Sequence, residues 1–266
     1  MKANVYLLKC LTNLHMGSGD VNYNVVDLEV ERDPVTGEPT MNASGVKGAI
    51  RSHLEMQYGN DPEKLEQIKK IFGSAENGGK QGTYRFFSGD LLARPLRVSK
   101  GDHPYVLATM SDLIEGFYQK AAALGGTDFL PEKGSLPVPD EKEVLSNSSG
   151  VTSVEGYGVT ALKPEQKSPL MDRLLGENWV VVHKDIFQGM DLPVLAHNVL
   201  KNGISQNLWY AEYVPHESVF GLIILGPDGE ENELENLMGE NPVIQFGAEA
   251  TTGCGYVQLT KVVEGA

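Results

Sequence analysis

An α+β fold is predicted for this sequence from three observations. Short β-prone runs and helical segments mix irregularly along the 266 residues, whereas a doubly wound parallel sheet requires regular alternation of strands and helices. A β-α-β-like half lies near each end of the chain, with a long insertion between the two. Two such halves suit a ferredoxin-like core.

The N-terminal segment should supply two strands and a loop. Residues 4–11 are apolar and β-prone enough for a central strand. The glycine-rich loop HMGSGD follows at 15–20. Residues 25–31 alternate strictly in polarity, as a half-buried strand does, and the turn formers at 33–39 should reverse the chain.

Caps and glycines mark three helices. Ser44 is a suitable N-cap for a helix from about residue 45 to residue 58. A second helix should span 62–72 and end at Gly73. A third, from about 110 to 124, stops at two glycines.

The remaining chain contains one long segment of mixed character and a predicted closing sheet. Residues 127–166 are rich in Pro, then in Ser, Gly and Val, which favours a surface loop and a protruding β-hairpin equally. Short segments between 171 and 200 are ambiguous. Residues 219–225 predict a buried strand, and after an acidic helix two closing strands are expected at 243–246 and 255–263.

The charge distribution permits an RNA partner without predicting one. The net charge is −14, and phosphate binding draws on Lys and Arg. However, residues 228–240 hold six acids and no base, and residues 80–100 hold five bases and one acid, so the chain is polarised.

No membrane or secretory signal is evident. No apolar run approaches about 18 residues, and the N-terminal segment lacks a signal-peptide cleavage site. The two cysteines show neither metal-ligand spacing nor a disulfide framework, so a reduced, cytoplasmic setting is expected.

Three carboxylates, Asp27, Glu29 and Glu31, should share one face of the strand at 25–31. They could hold a hard divalent cation, or one could serve as a general base. A solvated edge face that discourages aggregation is the alternative. Asp27 stands nearest the glycine-rich loop, where a ligand could reach it.

The segment from Ser44 to Arg51 has the features of a phosphate-binding helix entrance. Helix N-termini offer free N–H groups, and Gly45 and Gly48 allow close approach. Lys47 and Arg51, four residues apart, share one helical face. A plain amphipathic helix with two solvated cations is the alternative, and the segment lacks the full P-loop spacing.

Other catalytic patterns are weak. His15 precedes the glycine-rich loop but belongs to no H-x-x-x-H pair, and no G-x-S-x-G element occurs. The aromatic residues Trp209, Tyr210 and Tyr213 could stack bases, or could serve the core or a subunit contact.

The sequence resembles the repeated backbone subunits of type III-B (Cmr) CRISPR effector complexes, within the RAMP superfamily. The lysine-glycine helix start followed by the closing glycine-rich loop is typical of RAMP proteins, and the LWY segment at 208–210 favours the III-B subunit over its III-A counterpart. The matching pieces are HMGSG, VVDLEVERDPVTGEP, SGVKGAIR, IFGS, NLWYAEYVP and VIQFGAEATTGCGYVQL.

The resemblance implies one RAMP domain over residues 1–266, with a ferredoxin-like (RRM-like) palm and a β-hairpin thumb within 144–162. It implies copies stacked as a filament along CRISPR RNA, together with other subunits and without a membrane. Each thumb would displace a nucleotide of the guide–target duplex. Complementary target RNA would then be cleaved at regular intervals with a divalent cation, Mg²⁺ or Mn²⁺.

Site residues carried over by the resemblance fall into two groups. Asp27 matches the catalytic aspartate, and His15, Glu212 and Tyr213 match positions near the cut. The guide backbone would be held by Ser44, Lys47, Arg51, Gly253 and Gly255. Four positions depart from the family pattern: Gly45, Ala211, Ala248 and Cys254.

Asp27 would accept a proton from a 2′-hydroxyl placed in line with the adjacent phosphate, or act as an outer ligand of the ion. Three other functions remain open: a non-catalytic RNA-binding scaffold, a guide-processing endoribonuclease using a histidine, and a metal-dependent enzyme acting on small acidic substrates.

Overall fold

The structure, a computed structural model, describes residues 1–17, 19, 26–74, 79–132, 134–230 and 232–263. Within these residues the strands are β1 Lys2–Cys10, β2 Thr40–Met41, β3 Gly73–Ser74, β4 Lys80–Gln81, β5 Arg85–Phe86, β6 Gly89–Gly101, β7 Tyr105–Thr109, β8 Val144–Ser146, β9 Val151–Val154, β10 Tyr157–Ala161, β11 Trp179–Val182, β12 Val194–Lys201, β13 Ile204–Glu212, β14 Val219–Gly226, β15 Val243–Gln245 and β16 Tyr256–Lys261. The helices are α1 Ala43–Tyr58, α2 Pro62–Phe72, α3 Ser111–Ala123, α4 Pro169–Leu175, α5 Lys184–Gln188 and α6 Glu233–Met238.

One large sheet organises the fold. Its first part runs in the order β15-β16-β1-β14-β6, with every neighbouring pair antiparallel. It continues as β6-β7-β11-β8-β10-β9, and β9 also pairs with β6. These six strands therefore close into a barrel-like ring, and the long strand β6 belongs to both parts. The predicted mixture of strands and helices is confirmed.

Alternating side chains of the central strands divide the core between the two faces of the sheet. From β1, Tyr6 and Leu8 join one apolar cluster, whereas Ala3 and Val5 join the other. Helices α1, α2 and α6 cover the first face, and α3 and α4 cover the second. Both faces of the strands predicted at 4–11 and 219–225 are thus buried.

The N-cap residue of the first helix differs from the prediction. Helix α1 begins at Ala43, and the side chain of Asn42 accepts a hydrogen bond from the Ser44 N–H over 2.9 Å. Asn42 is therefore the N-cap, and Ser44, whose hydroxyl also donates to Asn42, lies inside the first turn. The bounds of α2, and its end at Gly73, agree with the prediction.

The described part of the segment predicted as a strand at 25–31 forms no ladder. Residues 26–31 make two isolated bridges, Leu28 with Ala211 and Val30 with Gly17. The prediction of a regular strand is wrong because these residues pair with two different segments, so their polarity alternates without a continuous partner strand.

A two-stranded hairpin, β12–β13, stands outside the large sheet and pairs only with itself in the described ladders. Residues 144–162, predicted to protrude, instead supply β8, β9 and β10 to the barrel-like ring. Among the helices of the described residues, none has the length and apolar character needed to cross a membrane.

Candidate functional site

Asp27 lies at the base of the β12–β13 hairpin. Its backbone N–H donates to the Tyr210 carbonyl over 3.0 Å, and the Tyr210 N–H donates back to Asp27 Oδ2 over 2.8 Å. None of the described residues donates a hydrogen bond to Asp27 Oδ1, and the side chain is half-buried. The hairpin therefore orients this carboxylate, and its Oδ1 has no donor among the described residues.

Glu212 connects the residues that follow Asp27 to the hairpin base by hydrogen bonds. Its carboxylate accepts from the Val30 N–H over 3.1 Å and from Arg32 Nη2 over 2.5 Å. Glu212 is buried, and a buried carboxylate requires such partners. Because both of its oxygens are engaged, Glu212 is suited to positioning this segment.

His15 contacts the same hairpin base through the backbone of Glu212. Its Nδ1 lies 2.8 Å from the Glu212 carbonyl oxygen. A carbonyl can only accept, so Nδ1 carries the proton and, in the neutral ring, Nε2 carries the lone pair. A Cβ built on Gly17 would lie 3.1 Å from Nε2, so that nitrogen faces the glycine-rich loop. Ser18 and residues 20–25 of the predicted loop and strand fall outside the described residues.

Tyr213 is fully buried beside His15, with ring centroids 5.6 Å apart. Its hydroxyl donates to Glu249 Oε2 and lies 2.7 Å from His197 Nε2. Burial raises the pKa of Tyr213, and the hydrogen bond and negative charge of Glu249 raise it further. The phenol therefore remains protonated at neutral pH.

The glycine-rich loop at 247–255 packs on the His15 backbone. The Ala248 N–H donates to the His15 carbonyl over 2.9 Å, and a Cβ on Gly247 would lie 2.2 Å from that oxygen. Gly253 is exposed with open space around it, whereas Gly255 is buried. Of these two predicted RNA-binding glycines, Gly253 is the one on the surface.

The cations of α1 differ in their surroundings. Within the described residues, Lys47 makes no hydrogen bond or ion pair and is partly exposed. Arg51 donates to Glu55 over 2.7 Å and to the Gly73 carbonyl over 3.2 Å. Lys47 is thus available to a phosphate, whereas Arg51 ties α1 to the end of α2.

The entrance of α1 lies against the loops that carry His15 and Asp27. Asn42 Nδ2 donates to Glu31 Oε1 over 2.9 Å. A Cβ on Gly45 would lie 2.8 Å from Met16 Cε, so the small residue at this position lets the helix approach the loop. One oxygen of Glu31 is therefore engaged by the helix cap, and among the described residues Asp27, Glu29 and Glu31 do not form a group that could hold a metal ion.

A buried arginine, Arg94, lies close enough to Glu38 and Glu212 for their charges to affect its pKa. Arg94 donates to the carbonyls of Phe187 and Met190, the latter over 2.9 Å. Burial lowers its pKa, while the neighbouring carboxylate of Glu38 raises it. Burial also raises the pKa of Glu38, and the charges of Arg94 and Arg32 oppose that shift.

His15, Asp27, Glu212 and Tyr213 thus surround one hairpin base, next to the entrance of α1. In the described residues no three His, Cys, Asp or Glu side chains form a group that could hold a metal ion. The sequence-based prediction did not include Arg32, His197 and Glu249. Only the position of Glu249 in the closing glycine-rich loop could have indicated its importance.

Comparisons with known proteins agree with this architecture. A family model described as the RAMP superfamily matches residues 7–258. The chain is 34% identical to the CRISPR system CMR subunit Cmr4 of Saccharolobus solfataricus, covering 96% of this chain and 94% of that protein. It is 26% identical to the CRISPR system Cmr endoribonuclease Cmr4 of Pyrococcus furiosus, covering 98% and 96%.

Two solved structures share the fold. One is a chain of a type III-B Cmr-beta complex bound to cognate target RNA, with a TM-score of 0.79, 22% identity and 98% coverage of each chain. The other is oligomeric Cmr4 from Pyrococcus furiosus, with a TM-score of 0.71, 20% identity and complete coverage of both chains.

Proposed function

Because this chain belongs to the RAMP superfamily, and within it to the Cmr4 family, we propose that it is the repeated backbone subunit of a type III-B CRISPR effector complex. It binds CRISPR RNA together with further copies of itself and other subunits, and it cleaves complementary target RNA at regular intervals. The observation that carries the catalytic assignment is the position of Asp27, held at the base of an exposed hairpin with one carboxylate oxygen that accepts no hydrogen bond from the described residues. The working location is the cytoplasm.

The hairpin β12–β13, and not the segment 144–162, is the thumb in this proposal. Near its tip Leu200 is 62% exposed and Ile204 is 66% exposed, and Val199 and Leu208 are also exposed. Apolar side chains of this kind can wedge between stacked bases. A wedge that begins beside Asp27 would displace a nucleotide close to the carboxylate.

The palm is ferredoxin-like in this proposal. Strands β1, β6, β14 and β16 correspond to the four core strands, with α1 and α6 in the two crossovers. Their spatial order β16-β1-β14-β6, with antiparallel neighbours, supports this assignment. Lys47 and the exposed Gly253 then bind the guide backbone.

Asp27 acts as the general base. It takes the proton of a 2′-hydroxyl, and the 2′-oxygen attacks the adjacent phosphorus. The bond from phosphorus to the 5′-oxygen breaks, and the 5′-oxygen takes a proton from solvent water. The target strand is left with a 2′,3′-cyclic phosphate on one fragment and a 5′-hydroxyl on the other. A general base contributes about 10²- to 10⁴-fold in rate, and the displaced nucleotide supplies the in-line geometry.

A divalent cation, Mg²⁺ or Mn²⁺, is part of the same proposal. Mg²⁺ usually keeps several of its waters and is bound through substrate phosphates, so an RNA phosphate would hold the ion directly and Asp27, as the base, would contact it only as an outer ligand. When bound, the ion would stabilise negative charge on the phosphate oxygens.

The test compares Asp27→Ala with Glu29→Ala in the reconstituted complex, using an end-labelled complementary target. Glu29 is a matched control because it is a half-buried acid only two residues away. We expect the Asp27 variant to bind target RNA but to cleave it at the regularly spaced sites about 10²- to 10⁴-fold more slowly. The Glu29 variant should cleave at the wild-type rate.

Equal cutting by wild type and Asp27→Ala would contradict the catalytic assignment. If neither protein cut, the non-catalytic scaffold function would take its place. Persistence of the cuts in excess EDTA would contradict the divalent-cation part of the proposal.

A further inference from the structure

Tyr213, His197 and Glu249 form one hydrogen-bonded chain across three separate parts of the fold. His197 lies on β12 in the hairpin, Tyr213 lies just after β13, and Glu249 lies in the glycine-rich loop. The sequence separations are 16 residues between His197 and Tyr213 and 36 residues between Tyr213 and Glu249. The hairpin is thereby connected to the loop proposed to hold the guide backbone.

The direction of the chain follows from the chemistry of its members. The phenol has one proton, which it donates to the Glu249 carboxylate. Its oxygen can then only accept from His197, so Nε2 of His197 carries a proton. Each link of the chain thus joins a donor to an acceptor, and hydrogen bonds to a carboxylate are among the stronger ones in proteins.

Each end of the chain is fixed to its own segment. The His197 ring stacks on Trp209 of the facing strand, with centroids 5.3 Å apart and an interplanar angle of 17°. Glu249 has a left-handed backbone, with φ of +61°, and its carbonyl accepts from the Thr252 N–H over 3.1 Å. A non-glycine residue held in this conformation requires support from its surroundings, and the Glu249 carbonyl also accepts from the Thr252 hydroxyl over 2.8 Å and from the Cys254 N–H over 3.2 Å.

We propose that Glu249 is a positioning residue that, through Tyr213 and His197, locks the hairpin against the glycine-rich loop and so sets the distance between the displaced target nucleotide and Asp27. Tyr213 accordingly serves as the central brace and does not touch the RNA, because its hydroxyl is buried and doubly bonded. The inference rests on the proposed function for its consequence in cleavage, but the lock itself is a property of the free subunit.

The lock can be measured without RNA through tryptophan fluorescence. The sequence contains two tryptophans: Trp179 is fully buried and Trp209 is partly exposed on the hairpin. Acrylamide quenching therefore reports mainly on Trp209. We expect Glu249→Ala to increase the quenching constant about twofold and Glu249→Gln, whose amide oxygen can still accept from Tyr213, to remain close to wild type.

The matched control is Glu217→Ala. Glu217 accepts a hydrogen bond from the Tyr105 hydroxyl over 2.7 Å and pairs with Lys9 over 2.7 Å. The variant therefore also breaks a Tyr–Glu bond, but the partners of Glu217 lie on β7 and β1 and not on the hairpin or the glycine-rich loop. It should leave Trp209 quenching and target cleavage unchanged.

In the reconstituted complex, Glu249→Ala should lower the cleavage rate at saturating target by about 10- to 100-fold, as expected when a reacting group is misplaced by about 1 Å. Target affinity should change by less than about threefold, and Glu249→Gln should restore most of the rate. Tyr213→Phe should resemble Glu249→Ala, and the double variant should be no slower than either, since both break one chain.

Two results would overturn the inference. One is unchanged Trp209 quenching in Glu249→Ala, whatever happens to cleavage, because the hairpin would then not depend on this residue. The other is a slow Glu249→Gln variant with normal quenching, which would mean that Glu249 acts directly on the RNA. Normal cutting by Asp27→Ala would contradict the proposed function alone, and increased quenching in Glu249→Ala would still support the lock.

Discussion

Replacing either of two glycines, Gly253 and Gly255, by alanine should distinguish a structural position from an exposed one that is proposed to bind RNA. Gly253 and Gly255 have similar positive φ values, +84° and +80°. A side chain in this left-handed region costs roughly 1–2 kcal/mol at either position. Their surroundings differ. A Cβ on Gly253 meets nothing within 4 Å, whereas a Cβ on Gly255 would lie 1.9 Å from the Phe246 carbonyl oxygen.

The additional cost at Gly255 follows from the hydrogen bonds around it. To relieve the clash the backbone must move by more than about 1 Å, since ordinary contacts begin near 3.5 Å. Such a shift disrupts the bond from Phe246 N–H to the Gly255 carbonyl and the bond from Gly255 N–H to the Asn13 carbonyl, both 2.8 Å long. With about 1 kcal/mol for each bond, Gly255→Ala should cost about 3–4 kcal/mol and Gly253→Ala about 1–2 kcal/mol.

Urea unfolding of the purified subunit measures both values. Gly255→Ala should shift the midpoint by at least twice as much as Gly253→Ala, at an unchanged slope. Gly253→Ala should lower the affinity of the folded protein for guide RNA, because of the two glycines only Gly253 is on the surface. Equal destabilisation of the two variants would refute the reasoning, since their φ values are alike and the contacts that an added Cβ would make differ.

Two further predictions concern charge. Burial raises the pKa of Glu38 above its ordinary value of 4.5, so the folded state binds this proton more tightly than the unfolded state. The stability that it contributes is therefore complete below about pH 4.5 and is lost as the pH rises through the folded pKa. Glu38→Gln should accordingly raise the thermal midpoint at pH 7–8 more than at pH 4–5, and an equal change at both would contradict this. Lys47→Ala should weaken guide RNA binding and reduce the slope of log K against log salt by about 0.7, whereas an unchanged slope would place Lys47 away from phosphate.

The sequence-based prediction was accurate for elements whose ends are marked by residues within the segment itself. Helix α2 begins after an Asp61 side chain that caps it, has Pro62 in its first turn and ends at Gly73 with a positive φ. These determinants lie within the segment itself, so its two ends could be read directly. The start of helix α1 was predicted two residues too late because Asn42 and Ser44 are both good N-caps. The sequence of the helix does not show that Asn42 also bonds to Glu31, which lies in another segment.

The hairpin could not be located from composition. Residues 144–162 carry the Ser, Gly and Val content of an exposed hairpin, yet Val144 and Leu145 are buried. The apolar residues at 194–212 resemble those of a buried strand, yet most of them are exposed. Side-chain periodicity describes the shape of a segment but not whether another element covers it, and that information lies in the ring closure between β6 and β9.

The net charge was also a poor guide to RNA binding, and the placement of ion pairs explains why. Part of the acidic segment at 228–240 is neutralised within the chain: Lys70 pairs with Glu233 over 3.1 Å, and Lys261 pairs with Glu235 over 2.5 Å. Exposed charges are screened beyond about 8 Å at physiological ionic strength. A phosphate bound at the entrance of α1, as proposed, would therefore experience Lys47 and the helix N-terminus much more strongly than distant acids. Recognition depends on which cations lack an internal partner, and a total of −14 does not contain that information.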